Sequence, residues 1–283
     1  MTVSSFKTAH QLITGNGAAQ ELIGQLNKLG VENPFIVTDK GVSNSGTLTI
    51  ITDQLSEGSY AIYDNIPPEP EVSVVQACVE VFKQGSHDGL VAVGGGSAMD
   101  TAKCVAVMAE HVGDLESLFG ENMISQRNIP LIAIPTTAGT GSEVTNIAIL
   151  SDPKAQIKRG IVSDFLLPDV AIVSPEMTLS CPSNVTAASG VDALVHAIEA
   201  YLSNFSSPIT DALATKAMTL IIHALPKAFS EPGNVEARED MATGSLLAGL
   251  AFGNAGVGAV HALAYPLGGR YHISHGVSNA LLL

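Results

Sequence analysis

The chain has 283 residues, 46% of them hydrophobic and only 14% charged, enough to bury a sizeable core and to make two domains. Thirteen Lys plus Arg against 27 Asp plus Glu leave a formal charge of −14, which repels phosphate backbones at long range and argues against a nucleic-acid partner. Cys78, Cys104 and Cys181 are too dispersed for a metal doublet or a disulfide framework, and the first residues carry no leader-like run; both fit a cytoplasmic setting.

In chain order, apolar runs alternate with longer mixed segments. The patterning predicts a helix over 18–29, a strand over 35–39 and a helix over 71–84. A fully apolar strand over 90–93 and a helix over 98–108 follow, then strands over 129–134 and 171–173. Residues 48–55 and 60–63 give no clear pattern. Uninterrupted apolar strands suit a sheet covered on both faces, so the first half reads as an open, mostly parallel α/β domain. From about residue 180 the period becomes helical, with helices expected over 186–202, 209–229 and 235–250 and a break at Glu231–Asn234. Pro182–Ser183 marks the boundary, with Ser183 as a possible helix cap, giving domains 1–182 and 183–283. Residues 241–269 carry no charge, but Asn254, His261, Pro266 and seven glycines favour a buried helix and loop over a membrane span. Gly249 and Gly253 are spaced as in close-packed helix pairs.

Gly94, Gly95 and Gly96 fall between a predicted strand and helix. Such a turn brings backbone close to a ligand and aims Ser97 and the free helix amides at a pyrophosphate, with Asp100 one turn later. The triplet is not the GxGxxG fingerprint, and a plain βα turn is the competing reading. Thr136, Thr137, Thr140 and Ser142, also after a strand, offer hydroxyls to ribose and phosphate, and Gly15–Gly17 is a candidate third lip. Asp39, at a strand end, suits a ribose 2′-hydroxyl and repels a 2′-phosphate, which favours NAD over NADP, unless it merely caps a turn.

Asp192 and His196 stand one helical turn apart in apolar sequence. Pro266, Gly268 and Gly269 are expected to break any helix begun near His261 and let the chain return His275 toward it. Asp192, His196, His261 and His275 would then offer one oxygen and three nitrogens, suited to Fe²⁺ or Zn²⁺ and poor for Ca²⁺ or Mg²⁺. Surface histidines beside an ordinary helix aspartate remain the alternative. Phe252 and its apolar neighbours between Leu246 and Ala255 are candidates for a pocket wall.

The stretches GGGSAMDTAK (94–103), PTTAGTGSE (135–143), GVDALVHAIEAYLS (190–203) and HALAYPLGGRYHISHGVSNA (261–280) occur in the order found in the iron-containing (group III) alcohol dehydrogenases, and the chain resembles that family. The resemblance implies a dehydroquinate synthase-like architecture, with a Rossmann-like cofactor domain before an all-helical metal domain. It implies NAD-linked oxidation of a small alcohol, or reduction of an aldehyde, by a homodimer. It puts the metal ligands on Asp192, His196, His261 and His275, the pyrophosphate turn on Gly94–Ser97, and the cofactor-selecting position on Asp39. Many members have a histidine where this chain has Tyr265, so a proton relay would run through Tyr265, through His272, or through water and ribose. Members also continue past the point where this chain stops, so the helical domain is expected to be incomplete, lacking the family's C-terminal part. A glycerol dehydrogenase-like polyol enzyme and a non-catalytic, dimerising nucleotide-binding fragment are the rival readings.

Overall fold

The computed structural model describes residues 3–153, 155, 157–271 and 273–283. The first part runs β1 (Gln11–Thr14), α1 (Leu22–Leu29), β2 (Pro34–Val37), α2 (Lys40–Ser45), α3 (Thr49–Thr52), β3 (Ala61–Tyr63), α4 (Val72–Gln84), β4 (Gly89–Gly94) and α5 (Gly96–Met108). It continues with β5 (Gly120–Glu121), β6 (Leu131–Pro135), β7 (Ile147–Asp152), β8 (Ile157–Val162) and β9 (Val170–Val173). Helices then follow one another: α6 (Ser183–Leu202), α7 (Pro208–Ser230), α8 (Val235–Ala255), α9 (Ala259–Tyr271) and α10 (His275–Leu282).

Six strands form one parallel sheet in the order β1-β9-β6-β4-β2-β3. Successive side chains of a strand point to opposite faces, and here both faces are covered. Phe35, Val37, Leu90, Ala92 and Ala133 pack under α4 and α5, whereas Ile36, Val91, Val93, Ile132 and Ile134 pack under α1 and α3. That two-sided burial is why the strands read as continuous apolar runs. The chain leaves β2 toward β3 on one side and β4 toward β6 on the other. The crevice at the carboxyl ends of β2 and β4 is therefore the switch point at which such sheets bind ligands.

Several expectations are corrected. The strand expected to reach Asp39 ends at Val37, because Asp39 turns out to be the N-cap of α2. The ill-defined 48–63 segment holds the short α3 and the edge strand β3. Ser183 is the first residue of α6 and supplies no cap. The hairpin β7–β8, paired Ile147↔Val162 through Asp152↔Ile157, was not anticipated. Helix α9 runs straight through Pro266 and Gly268 instead of breaking there. Proline removes one i→i−4 bond, but the helix packs on β8, with Gly268 held close to Lys158, and that packing outweighs the local preference. The turn back to His275 comes after Tyr271.

Among the described residues no single helix is long and apolar enough to cross a membrane, and α8 and α9 meet at a bend of 102°.

Candidate metal centre and cofactor cleft

At the switch-point crevice, Asp39, Gly95, Gly96, Ser97, Thr136 and Thr137 line one cleft, together with Pro182 at the head of the helical part. Gly94 lies at the end of β4, where Thr136 N–H donates to its carbonyl at 3.0 Å. A Cβ on Gly96 would come within 2.9 Å of Thr140 Cγ2, so the threonine-rich loop closes over the glycine turn only because no side chain stands there. Asp39 Oδ1 accepts from Val42 N–H at 3.0 Å, and Asp39 Oδ2 lies beside Gly94 at the start of the glycine turn. Asp39 thus caps a helix and also borders the crevice. Gly15–Gly17 is not a lip. Glu176 accepts from Gly17 N–H at 2.9 Å, and Ser174 Oγ–H donates to the Gly15 carbonyl.

An adjoining cavity is lined by Asp100, Thr140, Ser142, Phe252 and Tyr265 and by Asp192, His196, His261 and His275; Gly96 and Ser97 border both spaces. Asp100 takes a structural job here, accepting from Ser142 Oγ at 2.6 Å and from Ile149 N–H at 2.9 Å, and burial pushes its carboxyl up. Its neighbour Lys103, fully buried, donates to the carbonyls of Thr145 and Ile147 at 2.9 and 2.8 Å, and burial lowers its pKa to about 8. This pair bolts α5 to the chain between the threonine-rich loop and β7.

Helix α6 carries Asp192 and His196 on one buried face, α9 carries His261 in its first turn, and α10 begins at His275. One donor atom from each of the four lies within 4.8 Å of every other. His261 Nε2 and His275 Nε2 stand 3.6 and 3.7 Å from Asp192 Oδ1. Bonds of about 2.1 Å to a tetrahedral cation would put donors about 3.4 Å apart, so the set fits a transition-metal ion with little adjustment. Ring orientation agrees. His196 Nδ1–H donates to the Gly139 carbonyl at 3.2 Å, and His261 Nδ1 lies 2.5 Å from Glu199, which leaves both Nε2 atoms toward the common centre. Burial holds His196 down, to about 4, so its imidazole is neutral and able to ligate. Burial alone would raise Asp192, but His196, His261 and His275 outweigh it and hold the carboxylate ionised.

Phe252 stacks on His196 with centroids 4.1 Å apart, walling one side of the centre. Tyr265 stacks on His275 at 5.7 Å, and burial, with Asp192, Asp100 and Glu199 nearby, pushes its phenol up to about 12, so it keeps its proton. His272, the other relay candidate, lies outside the described residues. Two residues escaped sequence reading. Asn279 Nδ2–H donates to Asp192 Oδ1 and lies 3.1 and 3.3 Å from His261 Nε2 and His275 Nε2. Glu199 is the other, although its place seven residues after Asp192, two turns along the same face, was open to view.

Two family models cover most of the chain: "Iron-containing alcohol dehydrogenase" matches residues 9–175, and "Fe-containing alcohol dehydrogenase family, C-terminal" matches 186–283. Over 274 residues the chain is 46% identical to long-chain-alcohol dehydrogenase 1 of Geobacillus thermodenitrificans, spanning 95% of this chain and 69% of that protein. It is 39% identical to the NAD-dependent methanol dehydrogenase of Bacillus methanolicus, over 95% of this chain and 71% of the relative. A solved 1,3-propanediol oxidoreductase superposes with a TM-score of 0.94 at 38% identity, over 99% of this chain and 74% of the other. The match over 186–283 overturns the expectation that the family's C-terminal part is lacking. Helix α10 packs on α6 and buries Ser278 and Asn279 completely, while Leu281 and Leu283 beyond them stay exposed.

Proposed function

From the premise that this chain belongs to the iron-containing alcohol dehydrogenase family, a group of metal-dependent, NAD-linked oxidoreductases of alcohols and aldehydes, we propose that it interconverts a small primary alcohol and its aldehyde at the centre formed by Asp192, His196, His261 and His275. One observation carries this reading: the crevice bordered by Asp39 and Thr136 and the cavity holding the four donors share Gly96 and Ser97 as a common wall. A dinucleotide laid along the crevice would enter the cavity at that wall, where its reactive ring meets the substrate.

When bound, the metal supplies Lewis acidity toward the substrate oxygen and the nicotinamide supplies the hydride-accepting carbon. The chain's own part is placement. Gly95, Gly96 and the first amides of α5 receive the pyrophosphate, and Thr136, Thr137 and Thr140 offer hydroxyls along the dinucleotide. Phe252 excludes water beside His196. Tyr265, protonated at neutral pH and stacked on His275, is the proposed hydrogen-bond donor to the substrate oxygen and the first step of proton exchange with solvent. The relatives' names span methanol, long-chain alcohols and 1,3-propanediol, so the frame sets the reaction while the pocket wall sets chain length. A homodimer in the cytoplasm completes the reading.

The test is an anaerobic assay of the Fe²⁺-loaded protein with NAD and with NADP, across straight-chain alcohols and short diols. Alcohol-dependent NAD reduction with at least one of them is expected, and its absence across the series would refute the proposal. Within the same assay, Asp39→Asn keeps the helix cap while removing the charge. It should move the NADP to NAD ratio of kcat/KM upward by roughly tenfold or more. An unchanged ratio would leave Asp39 as a cap alone.

A further inference from the structure

Glu199 is not one of the four donors, yet it is only 7% exposed and stands on the α6 face that carries Asp192 and His196. Its carboxylate lies across the start of α9. Oε1 accepts from Val260 N–H at 2.7 Å, and Oε2 accepts from His261 N–H at 3.4 Å and stands 2.5 Å from His261 Nδ1. Both oxygens thus already serve as acceptors for backbone N–H groups, as those of a carboxylate do. An ionised carboxylate only accepts hydrogen bonds. Neutral His261 must then carry its proton on Nδ1 and its lone pair on Nε2, the atom 3.6 Å from Asp192 Oδ1.

We propose that Glu199 is a positioning residue that locks His261 in its Nδ1–H tautomer and fixes the first turn of α9, and thereby sets the affinity of the metal centre. The inference rests on the reading of the four-donor centre and adds a member to it. One helix thus presents two donors and the group that aims a third, so any shift of α6 moves all three together. A purely structural alternative is that Glu199 only caps α9 by satisfying free amides. That role would change stability and leave the imidazole indifferent.

Two measurements separate these. In the first, metal-free protein is titrated with Zn²⁺ against a chromophoric chelator, comparing wild type, Glu199→Gln, Glu199→Ala and His261→Ala. Both Glu199 variants should bind Zn²⁺ roughly 10- to 100-fold more weakly, in the range typical for removing the partner of a ligating histidine. Gln is isosteric but has one acceptor oxygen where three or more donors converge, so it cannot serve both the amides and Nδ1. In the second, long-range nitrogen–proton spectra of ¹⁵N-histidine-labelled, metal-free protein at alkaline pH should show a protonated Nδ1 and a bare Nε2 for His261 in the wild type. The Glu199→Gln protein should show a mixture. Wild-type Zn²⁺ affinity in both Glu199 variants, or an Nε2–H tautomer in the wild type, would overturn the proposal. Should wild type and His261→Ala both fail to bind Zn²⁺, the reading of the centre falls, and the spectra still decide what Glu199 does to the ring.

Discussion

Replacing His261 by Ala is expected to lower alcohol-dependent NAD reduction by at least about 10³-fold, roughly 4 kcal/mol of transition-state stabilisation. The argument is one of charge and geometry. His261 Nε2 is one of four donor atoms within 4.8 Å of each other, and no other histidine among the described residues is near enough to replace it. Its removal also strips the Glu199 carboxylate of its closest partner inside the fold, so two buried acidic side chains, Asp192 and Glu199, lose a shared partner. Metal content per chain should fall along with activity. Asp192→Asn, which keeps the shape and removes the negative charge, should do the same through the other half of the set. Circular dichroism and thermal unfolding of the metal-free variants check that the fold survives. A His261→Ala protein retaining activity within tenfold of wild type would dismiss this centre as the site of chemistry.

Of the four donors, Asp192 and His196 were legible from local spacing, whereas His261 and His275 rested on a helix break at Pro266–Gly269 that the fold does not make and on the family resemblance. Asp192 and His196 are four apart in a helix, and helical geometry stacks them without help from the rest of the chain. The glycine turn was legible for a similar reason, being a local strand-to-helix junction. What escaped depended on tertiary contact. Pro266 reads as a helix breaker only while nothing packs on the helix; β8 and Lys158 supply that packing. The β7–β8 hairpin spans Ile147–Val162, where inward-facing Ala148, Leu150 and Ile161 are interrupted by lysine and arginine, so the apolar signal is diluted on the outer face. Asp100 looked like a ligand-facing acid because its spacing from Gly96 is right. Its oxygens are claimed by Ser142 and Ile149, partners more than forty residues away that no local pattern reveals. Glu199 is the instructive omission: its position was periodic with Asp192, but its partner, His261, enters from another helix.

The second large effect is expected at Gly249, where the threonine-rich loop meets the helical half. Gly249 and Gly253 look like a helix-pairing motif, but the surface that approaches them is the segment 141–145. Gly141, at φ +61°, holds its Cα so close that a Cβ on Gly249 would lie 2.8 Å from it and 2.9 Å from Val144 Cγ2. Backbone cannot yield as a side-chain tip can. Gly249→Ala should therefore destabilise the protein by about 2–3 kcal/mol, as overpacking does, although alanine in an open helix position would gain about 1 kcal/mol over glycine. Gly253→Ala is the internal control: its Cβ would meet Thr145 Cγ2 at 3.2 Å, a side-chain atom with some room to give, so its cost should be clearly smaller. Urea unfolding of the metal-free proteins ranks the two. Because Thr140 and Ser142 flank Gly141, the Gly249 variant should also bind NAD more weakly, whereas the Gly253 variant should not. The reverse order of stabilities would mean that the loop slides over α8 freely, and a loop free to slide could not hold Thr140 against Gly96 at the wall shared by the crevice and the metal cavity.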